Sequence, residues 1–181
     1  LLPAAQTSDK SAVTEDGMIK IITELKQDYD YIIIDCPAGI EQGFQNAIAG
    51  ADKAIVVTTP EKSSVRDADR IIGLIEQRDM ERPQLIINRI RNHMMKDGDM
   101  IDIDDIVQIL SIDLLGIVID SDDVIKSSNE GEPIAIAGKG KASIAYRNIA
   151  RRILGEPVPL QSLEESKGMF QKMKSFFGMG S

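Results

Sequence analysis

A chain of 181 residues with 43% hydrophobic content is long enough to close one substantial core and too apolar to remain unfolded. Its net charge of −8 and pI near 4.7 set it against a phosphate backbone, so nucleic acid is not an expected partner. Cys36 is the only cysteine, which excludes an internal disulfide, and no run of eighteen apolar residues or secretory-type segment occurs; a reducing, cytoplasmic setting is expected.

In chain order, Leu1-Leu2-Pro3-Ala4-Ala5 lacks an initiating Met and reads as the end of a buried strand entering a loop, so a preceding segment is expected. Four nearly continuous apolar runs rich in β-branched residues follow, at Tyr31 to Asp35, Ala54 to Thr58, Leu85 to Asn88 and Leu115 to Ile119, as strands buried on both faces require. Helical periodicity lies between them, at Glu15 to Lys26, Gly43 to Ala51, Ser63 to Gln77 and Ile103 to Leu110. A short helix from Asp122 to Ser128 and a longer one from Ala142 to Leu154 come last, the latter stopped by Gly155 with Pro157 beyond. This order predicts an α/β fold, a mostly parallel sheet flanked by helices. It divides the chain into a domain over 1–155, a linker over 156–165 and a different kind of sequence over 166–181.

That last stretch has no acidic residue. On a helix, Met169, Phe170, Met173, Phe176 and Phe177 fall within roughly 120° of arc, while Lys167, Lys172 and Lys174 fall outside it. The pattern suits an interfacial helix whose apolar side enters the acyl boundary while lysines meet anionic headgroups. A final helix docked on the core would show the same stripe, but the Pro-containing linker and the contrast with an acidic body favour the membrane. A helix this short is marginal in water, so it is expected to order on lipid.

Asp35 ends an apolar strand at the sheet edge where ligands bind, a position from which a carboxylate can hold Mg2+ through water. Gly39, in the loop Cys36-Pro37-Ala38-Gly39, would let a backbone N–H approach a terminal phosphate. Plain strand capping and turn chemistry explain the same residues. Asn88 and Arg89 close the third strand, where an amide presenting donors and an acceptor can read a base edge, or simply satisfy a turn. Ser63 or Ser64 is expected to cap the helix that follows, with Asp67 and Asp69 in its first turns. His93 has no companion for a metal site and reads as a surface loop residue, and Cys36 has no base beside it and reads as a small filler.

Three segments together carry a resemblance. Asp35-Cys36-Pro37-Ala38-Gly39-Ile40-Glu41 resembles the Walker B and switch II segment of the MinD/ParA family of P-loop ATPases. Ser63-Ser64-Val65-Arg66-Asp67-Ala68-Asp69-Arg70 and Ser128-Asn129-Glu130-Gly131-Glu132-Pro133 are similar to further segments of that family in the same order. The resemblance spans the chain and implies an ATP- and Mg2+-dependent ATPase that forms an ATP-dependent homodimer and alternates between cytosol and the inner face of the cell membrane. It implies that Asp35 is the magnesium-side carboxylate, Gly39 the γ-phosphate sensor, Asn88 and Arg89 the base-binding pair, and the amphipathic tail the lipid anchor. Ser64, Asp67 and Asp69 would face a MinC-like division inhibitor and a MinE-like or other topological regulator. Where some relatives have a Pro shaping the base pocket, this chain reads Val118-Ile119-Asp120-Ser121. A ParA-like partition or flagellar-number ATPase and a nucleotide-independent membrane adaptor are the alternatives.

The 181 residues contain no Gly-x4-Gly-Lys-Ser/Thr, the loop whose N–H groups cradle phosphates. Gly138-Lys139-Gly140-Lys141-Ala142-Ser143 lacks the required earlier glycine. By itself the chain is therefore expected neither to bind ATP tightly nor to hydrolyse it, and to be poorly soluble in isolation.

Overall fold

The computed structural model describes residue 2 and residues 13–37, 39–78, 80–138 and 140–160. Three strands, β1 (Ile55–Thr58), β2 (Gln84–Ile90) and β3 (Asp113–Ile119), lie side by side in that order, all parallel. Parallel neighbours need long crossovers. Helix α3 (Lys62–Glu76) supplies the first, and α4 (Asn92–Lys96) with α5 (Ile103–Leu110) the second. Helices α1 (Glu15–Leu25) and α2 (Gln42–Ala49) precede the sheet, and α6 (Asp122–Asn129), α7 (Ile134–Ala137) and α8 (Lys141–Ile153) follow it.

Local chemistry accounts for the helix starts. Thr14 Oγ1 accepts from Gly17 N at 3.1 Å and Glu15 and Asp16 occupy the first turn of α1, where the helix dipole favours them. Asp102 caps α5 and Ser121 caps α6 in the same manner. The expected serine cap of α3 is not formed: its N-cap is Glu61, so Ser63 and Ser64 lie within the first turn, and Asp67 and Asp69 fall beyond it. Short α4 and α7 have too few residues to show a period, and His93, read as a loop residue, lies on α4.

One sheet face is covered along all three strands and the other at β3 and part of β2. On one, α2, α3 and α5 enclose Val56, Leu85, Ile87, Ile90 and Ile117 with Phe44, Ile72, Ile75 and Ile106. On the other, Leu115 and Val118 meet Ile134, Ala142, Ala145 and Ile149 of α7 and α8. Each fully buried aliphatic side chain contributes about 1.5–3 kcal/mol, so β2, with Leu85, Ile87 and Ile90 all at 0% exposure, is the most stabilising strand. Arg78, at the end of α3, joins Glu15 at 3.3 Å and hydrogen-bonds Gln45, tying the first two helices to the body.

The run Tyr31 to Asp35 departs from expectation. It is not part of the sheet; Tyr31, Ile33 and Asp35 are exposed, Ile33 at 81%. A continuous apolar run becomes a doubly buried strand only when hydrogen-bonded neighbours flank it, and none does among the described residues. Strand β1, at the sheet edge among the described residues, likewise carries exposed Ile55 and Val57 on one face. Gly155, at φ 82°, follows α8 as anticipated. Of the expected linker, residues 156–160 are held by Arg152, whose Nε donates to Val158 O at 2.8 Å and Nη2 to Pro159 O at 2.6 Å; the rest and the whole tail lie outside the described residues. No helix among the described residues is long and apolar enough to cross a membrane.

Gly116 is what lets α8 rest on β3. A Cβ there would fall onto Ile149 Cγ1 and lie 2.8 Å from Cδ1. Gly116→Ala is expected to destabilise the fold by about 1–3 kcal/mol, and Ile149→Ala in the same chain to cost less than the sum of the two single changes, read from urea unfolding midpoints.

Candidate functional site

Strand β2 runs Leu85, Ile86, Ile87, Asn88, Arg89, Ile90, and its burial does not keep a period of two: Leu85 and Ile87 are buried, Arg89 is exposed, and Ile90 is buried again. The pairing explains the change of phase. Ile87 aligns with Ile117 but Ile90 with Ile119, so β2 carries one extra residue over this interval. Arg89 absorbs it in the left-handed region at φ 57°, while Asn88 Oδ1 accepts from Arg89 N at 2.9 Å. The left-handed conformation costs roughly 1–2 kcal/mol, and burying Ile90 returns about 1.5–3 kcal/mol, so the bulge is sustained by the core beneath it. Bulges re-aim side chains. This one turns Arg89 outward at the carboxyl end of the sheet and engages the Asn88 carbonyl oxygen, leaving the amide N–H groups to meet a ligand acceptor.

Asp120, at the carboxyl end of β3, completes this corner. Its Oδ2 accepts from Arg91 Nε at 2.6 Å and its Oδ1 stands 3.6 Å from Arg89 Nε, while its backbone N donates to Ile90 O at 3.0 Å. The hydrogen bond from Arg91 is the main reason its carboxyl lies below the ordinary carboxylate range; Arg89 and Arg91 add charge attraction, and partial desolvation opposes them. Sequence reasoning passed over Asp120 as an active group. The signal was available, because Ile117-Val118-Ile119-Asp120 repeats the apolar strand ending in Asp that marked Ile32-Ile33-Ile34-Asp35.

Asp35 itself is exposed, and no hydrogen bond or ion pair joins it to Asn88, Arg89 or Asp120 among the described residues. The loop after it is fastened at Pro37, whose ring lies so close to Gly43 that a Cβ there would be 2.7 Å from Pro37 Cγ. Gly39 then adopts φ 101°, a backbone conformation a side chain would strain, with nothing within 4 Å of where a Cβ would be. An N–H here is open to a ligand. Partial burial of the sulfur, then the Asp35 charge, raise the Cys36 thiol above its ordinary range, which disfavours the thiolate a nucleophile would need.

On α3, Thr59 Oγ1 donates to Ser64 Oγ at 2.9 Å, securing the start of the helix, and Asp67 and Asp69 are exposed. Asp69 also lines an open groove of about 560 Å³ between α3 and α5, with Lys62, Arg66, Asp105 and Ile109. Two distant helices form it, so no local pattern could reveal it. The motif Ser128-Asn129-Glu130-Gly131-Glu132-Pro133 is accounted for as the end of α6: Glu130, Gly131 and Glu132 backbone N–H groups return to Lys126, Ser128 and Ser127 carbonyls, with Gly131 at φ 73°. Lys167, Met169, Phe170, Lys172, Met173, Lys174, Phe176 and Phe177 lie outside the described residues.

Residues 4–87 match the AAA domain family. Over 183 aligned residues the chain is 70% identical to the septum site-determining protein MinD of Bacillus subtilis, the match covering 100% of this chain and 68% of that protein. The chain belongs to the MinD family. Among solved structures it is similar to the MinD cell division protein of Aquifex aeolicus, at 45% identity and TM-score 0.78, over 82% of this chain and 64% of that one. It is equally similar, at 45% identity and TM-score 0.78, to a chain of the MinC:MinD cell division protein complex of Aquifex aeolicus, covering 82% of this chain and 62% of that one. The chain thus spans about two thirds of the length of these MinD relatives, and the parallel sheet flanked by helices is their fold.

The Asp120 corner gives a titration with a definite sign. A carboxylate whose folded value is lowered adds stability that is present above its unfolded value, about 3.9, and is lost as pH falls through the folded value. Asp120→Asn is therefore expected to cost under about 1 kcal/mol at pH 7, the worth of a partly exposed ion pair. The difference from wild type should vanish in strong acid, as followed by urea unfolding across a pH series.

Proposed function

We propose that this MinD-family chain acts within a Mg-ATP-dependent membrane switch that selects the division septum site and recruits a division inhibitor to the membrane. The observation that carries the reading is the 70% identity to a septum site-determining protein, which runs over the whole chain rather than over one motif.

On this reading Asp35 provides the magnesium-side carboxylate. No group of three or more His, Cys, Asp or Glu that could hold a metal occurs among the described residues, but a single carboxylate fits Mg2+, which keeps several waters and takes its other oxygens from phosphates. When bound, the ion neutralises phosphate charge. The open N–H at Gly39 meets the γ-phosphate, the Asn88 amide donates to a ring nitrogen of the base, and Arg89, held by Asp120, walls that side. Residues 1–155 form the nucleotide domain, 156–165 the linker and 166–181 the membrane-targeting helix. Nucleotide hydrolysis belongs to the longer protein; these 181 residues lack the phosphate-binding motif and alone neither bind ATP tightly nor hydrolyse it.

The tail binds anionic lipid weakly in one copy, and an ATP-dependent homodimer joins two copies, raising avidity through effective concentration. Ser64, Asp67 and Asp69 on α3 face the inhibitor, a MinC-like protein as in the named Aquifex complex, and a MinE-like or other topological regulator competes there.

Two measurements test this. Sedimentation with anionic vesicles is expected to respond to ATP only when the chain is fused to the remaining portion of the Bacillus relative, and Phe176→Glu is expected to abolish binding with the far-ultraviolet dichroism unchanged. No ATP response in either protein would favour a nucleotide-independent adaptor. Asp67→Ala is expected to weaken inhibitor binding roughly fivefold or more; unchanged binding in titration calorimetry would remove α3 as the partner face.

A further inference from the structure

In a chain of formal charge −8, residues 133–155 contain Lys139, Lys141, Arg147, Arg151 and Arg152 and no Asp or Glu. The structure sorts these charges. Arg152 turns inward, donating Nη1 to Leu115 O at 2.9 Å, and Arg151 pairs with Glu156 at 2.7 Å. Arg147 Nη1 donates to the Ala135 and Gly138 carbonyls and pairs with no carboxylate among the described residues. Lys141 is exposed at the first position of α8, where the helix dipole favours an acidic residue, so local stability does not explain a cation there.

These residues share a side of α8. Lys141, Ile144, Arg147, Arg151 and Leu154 are all exposed and fall within roughly 140° of arc, opposite Ala142, Ala145 and Ile149, which enter the core. Ile144 is 39% exposed, Leu154 55%, and Ile136 on neighbouring α7 77%. Basic and aliphatic groups together on one exposed face match an anionic lipid surface. A nucleic-acid backbone would use the cations alone and leave the exposed aliphatic groups without a partner.

The exit of the chain gives this face a reason. Arg152 holds Val158 and Pro159 beside the end of α8. From Leu160 to Ser166 the chain has six steps, at most about 20 Å of reach. A tail inserted in the interface therefore keeps this end of the body within about one helix length of the headgroups.

We propose that the exposed side of α8, together with Ile136, is a second membrane-contact surface that rests on anionic headgroups when the tail is inserted. The proposal rests on the tail reading given above. It assigns the orientation of the body on the membrane as well as its attachment.

The test uses the 181-residue chain and vesicles of phosphatidylcholine with rising phosphatidylglycerol. Lys141→Glu suits the helix dipole and leaves the fold intact. It is expected to lower the partition onto anionic vesicles roughly tenfold while leaving the weaker binding to pure phosphatidylcholine unchanged. Arg147→Gln is expected to act in the same direction. If Lys141→Glu binds like wild type while Phe176→Glu loses binding, the second surface is overturned and the tail stands. Full binding by Phe176→Glu would remove the tail reading and the orientation with it. Loss of duplex-DNA binding by Lys141→Glu, with vesicle binding intact, would overturn the lipid assignment in favour of nucleic acid.

Discussion

The structure depends on strand β2 being enclosed on every side. It is hydrogen-bonded to β1 and β3 at its two edges, and three of its side chains reach 0% exposure. Burial on one face at Leu85, Ile87 and then Ile90 is incompatible with an alternation of two. The chain must either leave Ile90 in water or insert a residue. Because burying an isoleucine outweighs one left-handed residue, it inserts one, and the resulting bulge sends Arg89 outward at the edge where β2 and β3 end. A packing requirement thus shapes the corner proposed to meet the base. Asp120 then secures it, holding Arg91 by a hydrogen bond and Arg89 by charge.

The same logic explains what is left open. β1 is bonded to β2 alone, and the apolar run at Tyr31 to Asp35 has no strand beside it among the described residues. Apolar side chains that suit a doubly covered sheet are exposed at Ile33, and at Ile55 and Val57 on the face of β1 that no described helix covers. Their character is that of interior strand residues. Beyond this run Pro37 is packed on Gly43 at the start of α2, and Gly39 adopts φ 101°.

Much of this was legible in the sequence. The helices α1, α2, α3, α5, α6 and α8 and the three paired strands follow from the sequence within a residue or two, from apolar periodicity in most and from the Ser121 cap with Asp122 and Asp123 in α6, which buries no side chain. Pairing was not legible at Tyr31 to Asp35, since an apolar run reports what a strand could bury and not whether a neighbour is present. The bulge was hidden for a related reason: Asn88-Arg89 reads locally as a strand end, and only the burial of Ile90 shows the strand continuing. The N-cap position of α3 falls on Glu61, which makes no side-chain cap bond, while Thr59 hydrogen-bonds both Glu61 and Ser64 at the start of the helix. The groove between α3 and α5, and the pairing of Asp120 with two arginines, join residues far apart in the chain. No window of sequence contains both sides.

The distribution of charge bears on how such a protein would attach reversibly to a surface. Strong attachment by one element would have to be undone by a large change in that element. A short tail with six bulky apolar residues, five of them on one side, and three lysines gives a limited gain, since ordering its backbone costs about 1–2 kcal/mol per residue. A stripe with two cations not offset by a carboxylate adds about 1 kcal/mol for each, too little to hold the body alone. On the proposed reading, joined by a chain pinned at Arg152, the two would act as one bivalent contact whose second step is intramolecular. The acidic remainder of the body would be repelled by the same headgroups, which favours the orientation that presents the basic stripe of α8. On that reading each contribution stays small enough for dimerisation to double it and for its loss to release the protein.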